Sequence, residues 1–335
     1  MRLILIILGA VALAAGCASG PSSLPVIPAT VTHAALLDGW TFHEYAIPSS
    51  NSEPSGIAAG PDGALWFTEF KTHKIGRITT GGSISEFKIR APGSAPTDIA
   101  AGPDHAMWFT ESSSGKIGRI TTGGHIREFQ IPTSNSQPIG IAAGPDDALW
   151  FVEYDGNKIG RITTGGAISE FPIPTAVAHP VGIAAGPDHA LWFTETDGNK
   201  IGRITTGGTV TEFSIPTSGA GPYYIATGPD HALWFTEVNA NKIGRITTGG
   251  AINEFQLAVS FAFPLGITAG PDRALWFVGS SSNQFELIGR ITTGGTIRGF
   301  QIPTEYASAN YIAAGPDHAL WFTELNANKI GRLGH

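Results

Sequence analysis

The chain has 335 residues with 44 Gly and 23 Pro, 42% hydrophobic and 14% charged residues, and a formal charge of −7. So much apolar material excludes a disordered chain, and so much Gly and Pro marks one rich in turns. Lys and Arg are spread evenly and the net charge is negative, so there is no basic stripe for a phosphate backbone and no nucleic-acid partner is expected.

Met1-Arg2 and the apolar run over residues 3–15 have the charged start and short apolar core of an export signal, and the run is too short to span a bilayer. It ends in Ala14-Ala15-Gly16-Cys17, which resembles a bacterial lipobox. Cys17 is the only cysteine, as expected of a lipidation site in an exported protein. Residues 1–17 are therefore expected to be a lipoprotein-type signal peptide and 18–37, rich in Ser, Pro and Ala, a flexible tether. The chain is expected at the cell envelope, lipid-anchored through Cys17, and otherwise secreted or periplasmic. Contact with a membrane is expected only through that anchor.

From residue 38 to 335 the chain repeats. Trp precedes Phe at 66, 108, 150, 192, 234, 276 and 321, a spacing of 42 five times and then 45, and the extra residues fall between Trp276 and Arg290. One unit holds four strand-length segments, Gly56–Ala59, Ala64–Thr68, Lys74–Ile78 and Ser83–Phe87. Gly-Pro-Asp-Gly, a variable polar loop and Thr-Thr-Gly-Gly separate them. Adjacent Trp66 and Phe67 require the second strand to be buried on both faces, which stacked blades provide. Units of this length and content predict an all-β, seven-bladed β-propeller with four antiparallel strands per blade. After Arg332 no fourth strand remains, whereas Trp40–Pro48 matches the fourth-strand pattern, so the N-terminal strand is expected to close the last blade.

Positions shared by all units read as scaffold. Asp62, Asp104, Asp146, Asp188, Asp230, Asp272 and Asp317, with Arg77 and its six counterparts, recur in every unit and are expected to hold blades together. His105, His189, His231 and His318 lie on separate blades, cannot easily converge on one metal and read as turn residues. Glu69, Glu111, Glu153, Glu195, Glu237 and Glu324 end strand two, and Lys74 and its counterparts open strand three. Unit six lacks both, which suggests a Glu-Lys pair across the hairpin loop. A ring of six carboxylates at the channel mouth is the alternative.

Departures from the repeat at the start of the innermost strand carry more information. In Pro-x-Gly-Ile the Gly is kept at 56, 140, 182 and 266 but replaced by Asp98, Tyr224 and Tyr311, while the preceding position holds Ser55, Thr97, Ile139, Val181, Tyr223, Leu265 and Asn310. Ser55, Asp98, Tyr223, Tyr224, Asn310 and Tyr311 are thus candidates for one ligand-binding face. Drift of repeat positions, with tyrosines filling the channel, is the alternative. No local Ser-His-Asp, phosphate-loop or metal-binding motif occurs.

The unit Pro-x-Gly-Ile-Ala-Ala-Gly-Pro-Asp-x-Ala-Leu-Trp-Phe-Thr-Glu, followed by Asn-Lys-Ile-Gly-Arg-Ile-Thr-Thr and Glu-Phe-x-Ile-Pro-Thr, resembles the virginiamycin B lyase (streptogramin lyase) family over residues 40–333. The resemblance implies a seven-bladed propeller that opens the ester of cyclic depsipeptides by Mg²⁺-dependent elimination. It also implies a His general base in the last blade, a second His in the blade before and a Tyr in the first. Asn310, Leu265 and Ser55 stand at those places, so the catalytic residues are unknown. Glu324 is the candidate Mg²⁺ ligand. Asn is no base at neutral pH, and His179 lies on blade four.

The reading that follows is a monomeric, envelope-exposed binding propeller for a small molecule, peptide or glycan. A Mg²⁺-dependent carbon-oxygen lyase acting on cyclic depsipeptides, and so an antibiotic-resistance enzyme, is the first alternative. A lactonase-like metal hydrolase using Asp98 and Asn310 is the second. No cofactor is required by the first reading.

Overall fold

A fully buried Trp indole has to place its N–H against an acceptor, and each repeat supplies one. The computed structural model describes residues 39–91, 93–258, 262–280 and 286–335. Cys17, the signal segment and the tether lie outside them, as do residues 281–285 of the unit-six insertion. Among the described residues the chain forms seven four-stranded antiparallel sheets, which are the blades of a propeller. In blade one the strands are Pro54–Ala59, Leu65–Glu69, Lys74–Ile78 and Ile84–Lys88. Blade seven is Ala309–Ala314, Leu320–Glu324 and Lys329–Gly334, completed on its outer edge by the N-terminal strand Thr41–Ala46. That strand pairs from Thr41 opposite Gly334 to Ala46 opposite Lys329, and Trp40 beside it packs on Trp276 and His335.

In every blade the Trp of strand two is wholly buried, and its Nε1 donates to the Asp of the Gly-Pro-Asp turn at 2.8–3.0 Å. The second oxygen of that Asp accepts from Arg Nε on strand three at 2.5–2.8 Å. The guanidinium carbon also lies 5.8–5.9 Å from the Trp ring. Burial pushes these Asp carboxyls up, but the indole and guanidinium bonds outweigh it and hold them below the usual range. The Asp and Arg are scaffold as expected, but they clasp a single blade rather than holding blades to one another. Strand-four aromatics, Phe87 and its counterparts with Tyr45 in blade seven, stack on the Trp rings at 5.3–5.7 Å.

Two glycines per unit are dictated by these rings. A Cβ on Gly76 would lie 2.0 Å from the Phe67 ring, and one on Gly60 2.4 Å from Trp66. His105, His189, His231 and His318 have φ of 55–58° and are turn residues. Asn157, Asn199 and Asn328 also take left-handed φ, 52–57°, and their side chains bond the next blade: Oδ1 accepts from Ala178, Ala220 and Ser52 N–H respectively. On strand two, Thr68, Thr110, Thr194 and Thr323 accept from their own inner strand. Each donates to the next blade's carbonyl, at Thr97, Ile139, Tyr223 and Ser55.

The repeated Glu and Lys do not pair as expected. Each Lys bonds instead to the Glu of strand four, Lys74 to Glu86 and so on round to Lys329 with Glu44, at 2.8–3.6 Å. The strand-two Glu is completely buried, which excludes the alternative of an open carboxylate ring. Lys74 sits opposite Glu69 in the ladder, but its long stem carries the ammonium to the more exposed partner, where it keeps its water. Burial, with the neighbouring strand-four carboxylate adding to it, pushes Glu153, Glu237 and Glu324 up to about 8, and burial pushes Glu69, Glu111 and Glu195 up to about 7.

Two predictions follow from this architecture. Removing residues 39–46 uncovers the edge of blade seven, and thermal unfolding by calorimetry should show Tm lower by on the order of 10 °C. The six buried Glu carboxyls bind protons more tightly folded than unfolded, so their stabilisation is full below about pH 4.5 and is lost as pH rises through 7 to 8. Tm should therefore fall between pH 5 and 9, and Glu195→Gln should melt higher than the parent at pH 9; a Tm rising across that range would contradict the assignment.

Candidate functional site

In an antiparallel meander the inner strand starts at the same end at which strand four finishes. The strand-four-to-one and strand-two-to-three loops therefore share one face, here called the mouth. Six of the seven inner strands carry a register shift just after their first residue, as between Pro54 and Ile57, so that three positions span two on the partner. Such a bulge re-aims side chains. The two bulged positions in each blade are the pair singled out in the sequence, for example Tyr223-Tyr224 and Asn310-Tyr311.

The glycines at these positions have a steric reason. A Cβ on Gly56 would meet the backbone of Asp98 at 2.7 Å, and one on Gly182 or Gly266 that of Tyr223–Tyr224 or Asn310–Tyr311 at 2.7 Å. Adjacent inner strands thus touch through glycine. Asp98, Tyr224 and Tyr311 are each followed in the next blade by a glycine, at 140, 266 and 56, which leaves room for the larger side chain.

The structure brings the tyrosines together. Tyr224 and Tyr311 have ring centroids 4.5 Å apart at 59°, and Tyr223 meets Tyr224 edge-on at 4.8 Å, although they come from blades five and seven. All three are buried. Burial, and then neighbouring charge, raises the phenols of Tyr224 and Tyr311 well above the ordinary value, with Asp98 contributing to both. Their hydroxyls approach each other, but the Tyr311 hydroxyl completes no hydrogen bond. Asp98 lies deep in the ring of inner strands with part of its surface open. Its oxygens accept from Ile99 N at 2.8 Å and Ile141 N at 3.0 Å, and burial pushes it up to about 7 against those bonds. Asn310 is buried with Oδ1 unpartnered. Ser55 is buried and its carbonyl accepts the Thr323 hydroxyl, so it belongs to the seam between blades seven and one. Leu265 lies in blade six, which lacks the Thr hydroxyl and bonds Leu265 N to Val278 O.

Sequence reasoning underrated two features on this face. His179 Nδ1 bonds Asp197 Oδ2 at 2.5 Å and stacks on Tyr154 at 4.4 Å, and Tyr154 in turn acts on Tyr223. Equivalent loop positions hold the Glu53–Lys71 and Ser308–Asn326 pairs, so the His-Asp pair occupies a loop staple used in other blades. The second is Glu286, which replaces the bridging Asn of other blades. It accepts from the backbone of Ser308 and Ala309 and is pushed up to about 7 by burial. The signal in the sequence was a carboxylate at a position otherwise occupied by His, Gly or Asn.

Glu324 carries two buried oxygens without partners, and the Glu44 and Glu286 carboxylates act on it. Glu153, Glu195 and Glu237 carry the same two unpartnered oxygens, so Glu324 offers a single carboxylate, to which Mg²⁺ would have to add water. Among the described residues no three His, Cys, Asp or Glu side chains converge on a common metal position.

The Virginiamycin B lyase family model matches residues 36–181 and 170–335. A solved streptogramin B lyase is 38% identical, with 88% of this chain and 97% of that one covered and a TM-score of 0.83. Virginiamycin B lyase from Staphylococcus aureus is 40% identical over 88% of this chain and 99% of its own, at the same TM-score of 0.83. A catalytically inactive His-to-Ala form of that enzyme, solved with quinupristin, matches equally well. With both halves of the ring matched, this chain belongs to the virginiamycin B lyase family.

Proposed function

We propose that this chain is a streptogramin-lyase-like propeller that binds a small molecule, peptide or glycan at its mouth and does not carry out the elimination. The observation that carries this reading is Asn310. At the place where the family resemblance puts the general base, the chain has a buried carboxamide with a free acceptor oxygen. A carboxamide can hydrogen-bond a ligand but cannot take a proton from carbon at neutral pH. The tyrosine cluster beside it offers broad apolar faces with polar tips, which suits recognition more than proton transfer. Attachment to the cell envelope through Cys17, and action as a monomer, complete the proposal.

A Mg²⁺-dependent lyase is the second reading, favoured by 40% identity to a solved lyase. In that case Glu324 would hold the ion, which would polarise an ester carbonyl as a Lewis acid. Proton abstraction would then fall to another residue, and His179, held by Asp197, is an imidazole on the mouth face that could be tested for it.

Incubating the purified chain with quinupristin and Mg²⁺, and following ring opening by mass spectrometry beside Asn310→His, separates the two. The expected outcome is no turnover by the parent chain. Turnover abolished by His179→Ala would establish the lyase reading instead, and turnover gained only by Asn310→His would show that the missing imidazole is what separates the chain from the lyases.

A further inference from the structure

Of the carboxylates that recur in this chain, the turn Asp has its Arg and the strand-four Glu has its Lys, while the strand-two Glu is buried as part of the frame in six blades. Asp98 occurs once and has no cation. Among the described residues it makes no ion pair, and its only bonds are the two backbone N–H groups of Ile99 and Ile141. Each oxygen is therefore left with further acceptor capacity. A carboxylate this enclosed, without a counter-charge, is costly to keep ionised. Its Oδ1 would lie 2.9 Å from a Cβ on Gly56, the glycine of the blade next to Tyr311, and its charge acts on the Tyr224 and Tyr311 phenols, whose rings abut, with Tyr223 closing the cluster edge-on. Elsewhere on the inner strands the Asn310 Oδ1, an acceptor, and the Tyr311 hydroxyl are also without partners.

The set is thus rich in acceptors and aromatic faces and holds no cation of its own. We propose that the mouth recognises its ligand through a protonated amine, seated against Asp98 and the faces of Tyr224 and Tyr311. This rests on the binding reading above and names the chemical class that reading leaves open. An ammonium supplies three donors to a carboxylate and an amide oxygen and is attracted by the negative faces of the rings. It also explains why Asp98 tolerates a place that four blades fill with glycine: the charge is completed by the ligand rather than by the fold. Burial alone pushes Asp98 up to about 7, so an arriving ammonium would favour its ionised form.

The test is a charge series on one scaffold, with 3-phenylpropylammonium, 3-phenylpropan-1-ol and 3-phenylpropanoate titrated into the purified chain at pH 8 and followed by calorimetry and ligand-observed NMR. The ammonium should bind at least tenfold more tightly than the alcohol, and the carboxylate more weakly than either. Asp98→Asn should remove that tenfold advantage, so that ammonium and alcohol bind alike, while Tyr224→Leu should weaken both. The comparison within the unmodified chain stands even if a variant fails to fold. Binding of the alcohol or the carboxylate as tightly as the ammonium, still sensitive to Tyr224→Leu, would overturn the amine preference and keep the binding reading. Ammonium binding untouched by Asp98→Asn would overturn the assigned seat, and silence from all three ligands would sink both readings.

Discussion

The hydrogen bond from a buried Trp Nε1 to the Asp of the preceding turn is the constraint on which most of the repeat depends. An indole with no exposed surface needs an acceptor, and a neutral one would suffice for the bond alone. Choosing a carboxylate brings a charge under the blade, and that charge in turn requires the Arg of strand three. The ring then sets its other neighbours: an aromatic from strand four must lie flat on one face, and the inner-strand end beside its edge has to be glycine. Trp, Asp, Arg, Gly and Phe recur together because each is the solution to a problem posed by the one before it.

That dependence is why the fold was legible in the sequence. Residues that satisfy one another locally must recur with the blade, so the period, the strand count and the missing outer strand could be read from Trp66 onward and from the match of Trp40–Pro48 to a fourth strand. The site was less legible because it depends on a bulge. Alternation along a strand would send Tyr223 and Tyr224 to opposite faces, whereas the register shift after Pro222 brings their rings into contact, and nothing in the Pro-x-Gly-Ile pattern announces an extra residue. The Glu-Lys expectation failed for a related reason. Joint loss in blade six identified residues that depend on one another, but sequence could not say that Lys74 reaches past Glu69 to Glu86 and leaves the first carboxyl buried and easily protonated.

The repeat also separates scaffold from function without recourse to other sequences. Buried Glu and His-bearing turns look chemically active when taken one at a time, but their near-complete recurrence and uniform environments mark them as parts of the frame. What remains is small: Asp98, the three tyrosines and Asn310 at the bulges, and Glu286 at the seam of blades six and seven. A ring of near-identical blades offers the same inner position seven times, so change at a few of them can build an asymmetric site while the rest keep the scaffold in register.

The pairing of Thr41–Ala46 with Lys329–Gly334 orders events in time as well as in space. Six blades are contiguous in sequence, and each can form its ladders as soon as its own segment is available. The seventh joins segments separated by nearly the whole chain, so its outer strand has to wait, unpaired, for the last residues to emerge. Loop-closure entropy makes such a contact slow to find and late to form. The ring therefore behaves as a latch that fastens only once residues 329–334 are present, and a chain cut short in blade seven would leave both the N-terminal strand and the edge meant to receive it open to other strands.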